Sequence, residues 1–235
     1  MRLGIGIATY QRHDGTTPAY LTRALKSIQA QTHEDYKVFL IGDHYENDDE
    51  FQKLSELIPE KKIFKKNLPV AVERSKYGIN SQILWHCGGI NAYNTAIKQS
   101  LDEGFDYLCH LDHDDYWESD HLSLINQVIE SEKNVACVYT CSSYLKNRYL
   151  PNVELNNGLY FSYPIPVNVI HSSVCINHRK VPLLYRNVFE ETGTSLEADI
   201  DMWKRLKEYG EKNSLNSYLI ARLTCHHPEE KLSVL

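Results

Sequence analysis

The sequence predicts an α/β fold on a mainly parallel central sheet, and three observations carry that expectation. Short apolar runs alternate with stretches of helical periodicity through the first half of the chain, which implies a sheet covered by helices on both faces. The composition, 42% apolar and 24% charged, is that of an ordinary globular protein. The 235 residues suffice for one large core that needs no disulfide staples.

The elements follow in order. Residues 3–8 are an apolar run that reads as the first strand. Over 20–31, Leu21, Ala24, Leu25 and Ile28 recur at helical spacing. Residues 37–41 form the next strand, and 48–58 a helix with Phe51, Leu54, Leu57 and Ile58 on one face. A short strand over 61–65 is followed by a helix over 90–101, marked by Tyr93, Asn94, Ile97 and Leu101. A strand (107–111), a helix (121–130) and another strand (135–140) continue the alternation. Beyond Pro151 the pattern is less regular, cut by Pro164, Pro166 and Pro182. Ile200, Trp203 and Leu206 mark a helix over 198–209, and a last strand over 218–223 leads into Cys225-His226-His227-Pro228. With no repeat, low-complexity tract or linker, residues 1–235 read as one domain whose C-terminal part is a small extension packed on the first half.

Charge and composition exclude several classes. Lys and Arg total 25 against 31 Asp and Glu, a formal charge of −6 with no basic run, so a general nucleic-acid binder is not expected. No stretch approaches the ~18 apolar residues of a membrane span. The apolar start breaks at Tyr10-Gln11-Arg12-His13-Asp14, too early for a secretory leader. A cytoplasmic protein is the expectation, attached to a membrane at most peripherally through its acceptor. The six cysteines contain no Cys-x-x-Cys and read as buried thiols. His86, Cys87, Cys109 and His110 match no usual zinc spacing. Gly4-x-Gly6 lies inside a strand with Thr9 in the third-glycine place, so it is not a dinucleotide fingerprint. Trp85 and Trp117 could stack on a sugar, although core or rim positions are commoner for such residues.

In parallel sheets ligands bind beyond the carboxyl ends of strands, which singles out residues 9–12, 42–45 and 112–116. The third segment is the most informative, because Leu111-Asp112-His113-Asp114-Asp115-Tyr116-Trp117 puts three carboxylates in four positions. If the chain stays extended, Asp112 and Asp114 point to one side. Their repulsion would be relieved by a divalent cation or by a raised pKa. Hard oxygen ligands suit magnesium, manganese or calcium. An acidic turn ahead of a helix is the competing account.

Ile7-Ala8-Thr9-Tyr10-Gln11-Arg12, Leu40-Ile41-Gly42-Asp43, Gly88-Gly89-Ile90-Asn91-Ala92-Tyr93-Asn94 and the Asp-x-Asp segment together resemble family 2 glycosyltransferases of the GT-A fold. Ala198-Asp199-Ile200-Asp201-Met202-Trp203-Lys204-Arg205-Leu206 is similar to their later Glu-Asp-x-Asp-Leu-Trp-x-Arg-Leu element. The likeness is close over 3–125, thin over 140–190, and returns at 197–206. Tyr93 stands where that family often has Arg, Gln11 replaces a frequent Asn, and Ala198 replaces the first acid of the later element.

The resemblance implies a nucleotide-sugar-binding half (1–120) and an acceptor-side half (121–235). It implies metal-dependent, inverting transfer of a sugar from a nucleoside-diphosphate donor, a UDP-sugar by family frequency. The acceptor would be a hydroxyl of a glycan, lipid-linked or protein-linked molecule. Asp114 would hold Mn2+ or Mg2+, with Asp112 sharing the metal or holding the ribose, and His226 completing the metal shell. His227 is not separable from His226 in that role. Thr9, Tyr10, Arg12, Asp43, Asn94 and His113 would line the donor, Asp43 at a uracil ring. Asp199 would be the general base. Taken alone, Asp199 reads as helix-start charge and Asp43 as a turn acid. The rival reading from another class is a non-catalytic sugar-nucleotide or divalent-cation-binding module.

Overall fold

A computed structural model describes residues 1–78, 81–144 and 148–228. The chain begins with β1 (Leu3–Thr9), α1 (Thr17–Gln29), β2 (Tyr36–Gly42), α2 (Asp48–Ser55) and β3 (Ile63–Asn67). Three helices follow, α3 (Val72–Tyr77), α4 (Gln82–Cys87) and α5 (Ile90–Asp102), then β4 (Tyr107–His110) and the two-residue β5 (Tyr116–Trp117). After α6 (His121–Ser131) come β6 (Val135–Tyr144), β7 (Tyr149–Leu150), β8 (Leu159–Phe161) and β9 (Val174–Asn177). The last elements are α7 (Val188–Thr192), α8 (Ala198–Lys212) and β10 (Asn216–His227).

One sheet runs β3-β2-β1-β4-β9-β6-β10-β5, with β7 beside β6 and β8 beside β10. β3, β2, β1 and β4 are mutually parallel. β9 runs against both β4 and β6, and β6 is parallel to β10, so β6 and β10 point the same way as β1. The carboxyl ends of β1, β2, β4, β6 and β10 therefore lie on one side, where the functional segments gather. Residues beyond 121 complete this same sheet through β6, β9 and β10.

The register explains the burial. All seven residues of β1 are buried, because helices cover both faces. On one face Ile5, Ile7, Val38 and Leu40 pack with Leu21 and Leu25 of α1, Phe51 of α2, and Leu122 and Ile125 of α6. On the other, Phe39, Ile41 and Leu108 pack with Ala92, Ala96 and Ile97 of α5 and Trp203 and Leu206 of α8. Gly4 and Gly6 serve this packing: a Cβ at Gly4 would stand 2.9 Å from Leu108 Cδ1, and one at Gly6 3.0 Å from Leu108 Cδ2. The six cysteines are buried and unpaired. No helix among the described residues is long and apolar enough to cross a membrane.

Among the described residues α3, α4, α7, β5, β7, β8 and β9 escape the periodicity. The six-residue helices α3 and α4 are too short for a 3.6-residue pattern to develop. The four buried residues of β9 form an apolar run without alternation inside the proline-cut stretch. The helix expected over 48–58 stops at Ser55, and residues 56–58 close it as a turn.

Candidate active site

The end of β1 and the end of β2 build one wall of the site. Thr9 is buried, its hydroxyl 2.7 Å from the Tyr45 hydroxyl, and its carbonyl accepts the Asp43 N–H at 2.7 Å. Asp43 is also buried. Its Oδ2 accepts from Arg74 Nε at 3.2 Å, and its backbone carbonyl accepts from Arg74 Nη2. Oδ1 of Asp43 is buried without a partner. Burial pushes the Asp43 carboxyl up, with the Arg74 guanidinium opposing. The same guanidinium lies 4.9 Å from the centre of the Tyr10 ring, with that of Arg12 6.0 Å away. Beyond these residues opens a cavity of about 620 Å³ lined by Gln11, Arg12, His44, Asn47, Arg74 and Ser75. Nothing in the sequence pattern marks Arg74, because it rides on the six-residue α3.

The three acids after β4 do not stay extended. The Asp115 N–H donates to the Asp112 carbonyl at 3.0 Å, and the resulting turn gives each carboxylate a different partner. Asp112 accepts the Tyr93 hydroxyl at 2.5 Å and stands 3.1 Å from His171 Nδ1, while its N–H donates to Ser172 Oγ at 2.9 Å. Burial opposes ionisation of Asp112, but the His171 imidazolium and the hydrogen bonds from His171 and Tyr93 prevail and hold the carboxyl below its usual range. Asp114 stands 3.3 Å from Arg12 Nη1, and its carbonyl accepts Arg23 Nη2 at 2.7 Å. Asp115 is fully buried on His227 Nδ1 at 2.7 Å, its Oδ2 unpartnered. Desolvation raises the Asp115 carboxyl to about 6, and the hydrogen bond to Asp115 raises His227 to about 9. His113, on the same turn, is buried edge-on against Tyr10 at 5.2 Å between ring centres.

The structure separates the two C-terminal histidines. Neighbouring residues of a strand face opposite ways. His226 therefore turns from the acid turn to Ser143 Oγ at 3.0 Å and Glu118 Oε1 at 2.8 Å, its ring stacked 4.7 Å from that of Tyr116. His227 is the one that meets Asp115. Asn94 is likewise engaged elsewhere. Its amide donates to the Tyr185 carbonyl at 2.8 Å and accepts the Tyr185 N–H at 2.9 Å, clamping α5 to the segment before α7.

His171, from the stretch where the sequence pattern is thin, ties the halves together. Its Nε2 is 2.8 Å from the Tyr185 hydroxyl, and its ring lies 4.6 Å from Tyr93 and 6.2 Å from Trp203 of α8. Its only sequence signal is position just before an apolar run. At the start of α8 the two acids differ. Asp201 is buried between Arg186, at 2.7 and 2.9 Å, and Arg205 at 2.6 Å, and these cations overcome burial to lower its pKa. Asp199 accepts the N–H of Ile200 at 2.7 Å. Burial raises its carboxyl, and the nearby His171 only partly offsets that rise.

Among the described residues no group of three or more His, Cys, Asp or Glu side chains is assembled to hold a metal ion. Asp112 and Asp114 nonetheless supply hard oxygen donors whose side chains keep 36% and 30% exposure at the rim. That donor set suits a small divalent cation whose remaining ligands come from a phosphate.

The sequence profile of glycosyl transferase family 2 matches residues 5–193. Glycosyltransferase R139 of Acanthamoeba polyphaga mimivirus is 36% identical over 237 residues, covering 96% of this chain and 93% of that protein. The crystal structure of S. aureus TarS 1–349 in complex with UDP-GlcNAc superposes with a TM-score of 0.67 at 13% identity, over 100% of this chain and 61% of that one. The mannosyltransferase PcManGT from Pyrobaculum calidifontis, in complex with GDP-Man and Mn2+, superposes with a TM-score of 0.63 at 11% identity, over 99% and 58%. At such identities the likeness shows a shared fold, the GT-A fold, and this chain spans about three fifths of either solved chain.

Proposed function

The chain belongs to glycosyl transferase family 2, and from that premise we propose a metal-assisted, inverting sugar transfer with Asp199 as its base. It is a glycosyltransferase; the donor, the stereochemistry and the residue roles are the substance of the proposal. A UDP-sugar is the donor we assign. The TarS structures with UDP and UDP-GlcNAc support that choice, and Asp43, next to His44 of the cavity lining, has an Oδ1 left without a partner. Residues 1–120 would hold the donor and residues 121–235 face the acceptor, a hydroxyl of a glycan, lipid-linked or protein-linked molecule.

The observation that carries the proposal is the contrast at α8. Asp201 is neutralised by two guanidinium groups, whereas Asp199 is desolvated and bonded only within its own helix among the described residues. A carboxylate of that kind has the raised basicity that general-base work needs. Asp199 takes the proton of the acceptor hydroxyl as its oxygen bonds to the anomeric carbon. The bond from that carbon to the diphosphate breaks on the opposite face, so configuration inverts. Arg12 offers positive charge beside Asp114, where the diphosphate would lie. Asp114 and Asp112 would hold Mn2+ or Mg2+, which when bound stabilises the leaving diphosphate as a Lewis acid. Thr9, Tyr10 and His113 shape the donor wall, and Asn94 holds Tyr185 beside His171.

The test follows nucleoside diphosphate release from UDP- and GDP-sugars with and without manganese, together with the product anomer by NMR. Release from a UDP-sugar, stimulated by the cation and yielding the opposite anomer, is expected. Retained configuration would overturn the base assignment, and cation-independent release the role of Asp114.

A further inference from the structure

Two braces hold the start of α8, and Asp199 stands between them. On its C-terminal side Asp201 is gripped by Arg186 and Arg205. On its N-terminal side the loop that enters α8 meets His86 of α4. His86 Nδ1 lies 2.5 Å from Ser195 Oγ, and Nε2 lies 4.0 Å from Glu197 Oε1, with only 14% of the imidazole exposed. Glu197 is the residue immediately before α8. The Asp199 carboxylate has no lateral partner among the described residues, since its hydrogen bond is to the next N–H of its own helix. Where it points therefore depends on how the start of the helix is held.

We propose that His86 is a positioning residue for Asp199: through Ser195 and Glu197 it fixes the loop from which the base projects. This rests on Asp199 being the base. The anchor is well placed for the task. α4 is capped by Ser81, whose hydroxyl accepts the Leu84 N–H at 3.0 Å, and it ends at Gly88. Gly89, in the left-handed region at φ +81°, turns the chain directly into α5. α5 carries Tyr93, whose hydroxyl holds Asp112. The brace on the base thus grows from the same short segment that supports the acid turn, and the spacing between base and donor acids is set from one place. Displacing a catalytic group by about an ångström can cost about 10²-fold in rate.

The experiment compares His86→Ala, His86→Asn and Asp199→Asn with the double variant, reading kcat, donor KM, donor Kd and melting temperature. His86→Ala should lower kcat about 10- to 100-fold, with donor KM and Kd within about twofold and little change in melting temperature. His86→Asn, whose amide reaches the place of Nδ1, should recover most of the rate by keeping the bond to Ser195. In the Asp199→Asn background, His86→Ala should change kcat by less than about twofold, because the displaced base is already absent. Losses that multiply in the double variant would overturn the proposal, as would a normal rate in His86→Ala or a loss confined to donor KM. A normal rate in Asp199→Asn alone would instead overturn the base reading, a distinct outcome.

Discussion

Asp112-x-Asp114 and Asp199-x-Asp201 are spelled alike and treated oppositely by the fold. In the first, the leading acid is tied: Asp112 is held by Tyr93 and His171, and Asp114 keeps an open face beside Arg12. In the second, the trailing acid is tied: Asp201 sits between two guanidinium groups and Asp199 is left with one backbone N–H. The pKa directions follow the partners. Asp112 and Asp201 are lowered, and Asp199 is raised. A carboxylate matched by cations is stabilised as an anion and braces structure, or binds a cation if its outer face is open. One desolvated without such a match gains basicity. The pair teaches that role follows from what surrounds each acid and not from the spelling.

The largest expected effect separates the members of the second pair. Asp199→Asn keeps the shape and removes the basicity, so transfer should fall about 10²–10⁴-fold with donor affinity unchanged by calorimetry. Because the base works ionised and burial raises it, the parent's kcat should decline as pH falls through a pKa above the ordinary 3.8. The Asn variant should lack that limb. A near-parent rate would erase the contrast between Asp199 and Asp201.

Asp201→Ala should do the reverse. It strands Arg205 and the half-exposed Arg186, and urea unfolding should show a loss of about 2–3 kcal/mol. The rate per folded molecule should fall far less than in Asp199→Asn. A rate collapse without loss of stability would move the chemistry to Asp201.

On the donor wall, Asp43→Ala should weaken uridine nucleotides by about 1–3 kcal/mol and leave adenosine nucleotides little changed. Equal losses for both would remove the base-reading role and leave Asp43 as a partner of Arg74 alone.

The smallest effect concerns the third acid of the turn. His227→Ala leaves Asp115 buried and unpaired, at a cost of about 1–2 kcal/mol near pH 8, moderated because His227 is partly exposed. At pH 5.5 the cost should shrink, since Asp115, raised to about 6, is then largely neutral. Within the pair His227 is the cation with a raised pKa; taken by itself, its stabilisation would be complete below the ordinary 6.5 and lost as pH rises through about 9. The difference between parent and variant should therefore peak between about 6 and 9, which thermal melts across that range would reveal.

Much of the scaffold was legible in the sequence because it rests on periodicity. The runs at 3–8, 37–41 and 107–111 became β1, β2 and β4, and the helices marked by Leu21, Ile97 and Trp203 became α1, α5 and α8. Hydrophobic period is a local signal, and burial enforces it. The candidate acids were legible too, since segments beyond strand ends are where a parallel sheet places ligands. Arg74, His171 and His86 were not, because each acts across the chain on a residue whose position no local pattern encodes: Asp43, Asp112 and Ser195.

The sequence by itself determined that Asp112, Asp114, Asp115, Asp199 and Asp201 gather near strand and helix ends. Only the tertiary structure decided which of them are matched by cations, which are desolvated, and which of His226 and His227 faces the turn. The physical reason is range. Strand and helix periods are set by neighbours in the chain, whereas desolvation and charge pairing depend on side chains that the fold brings within about 3 Å from far along the sequence.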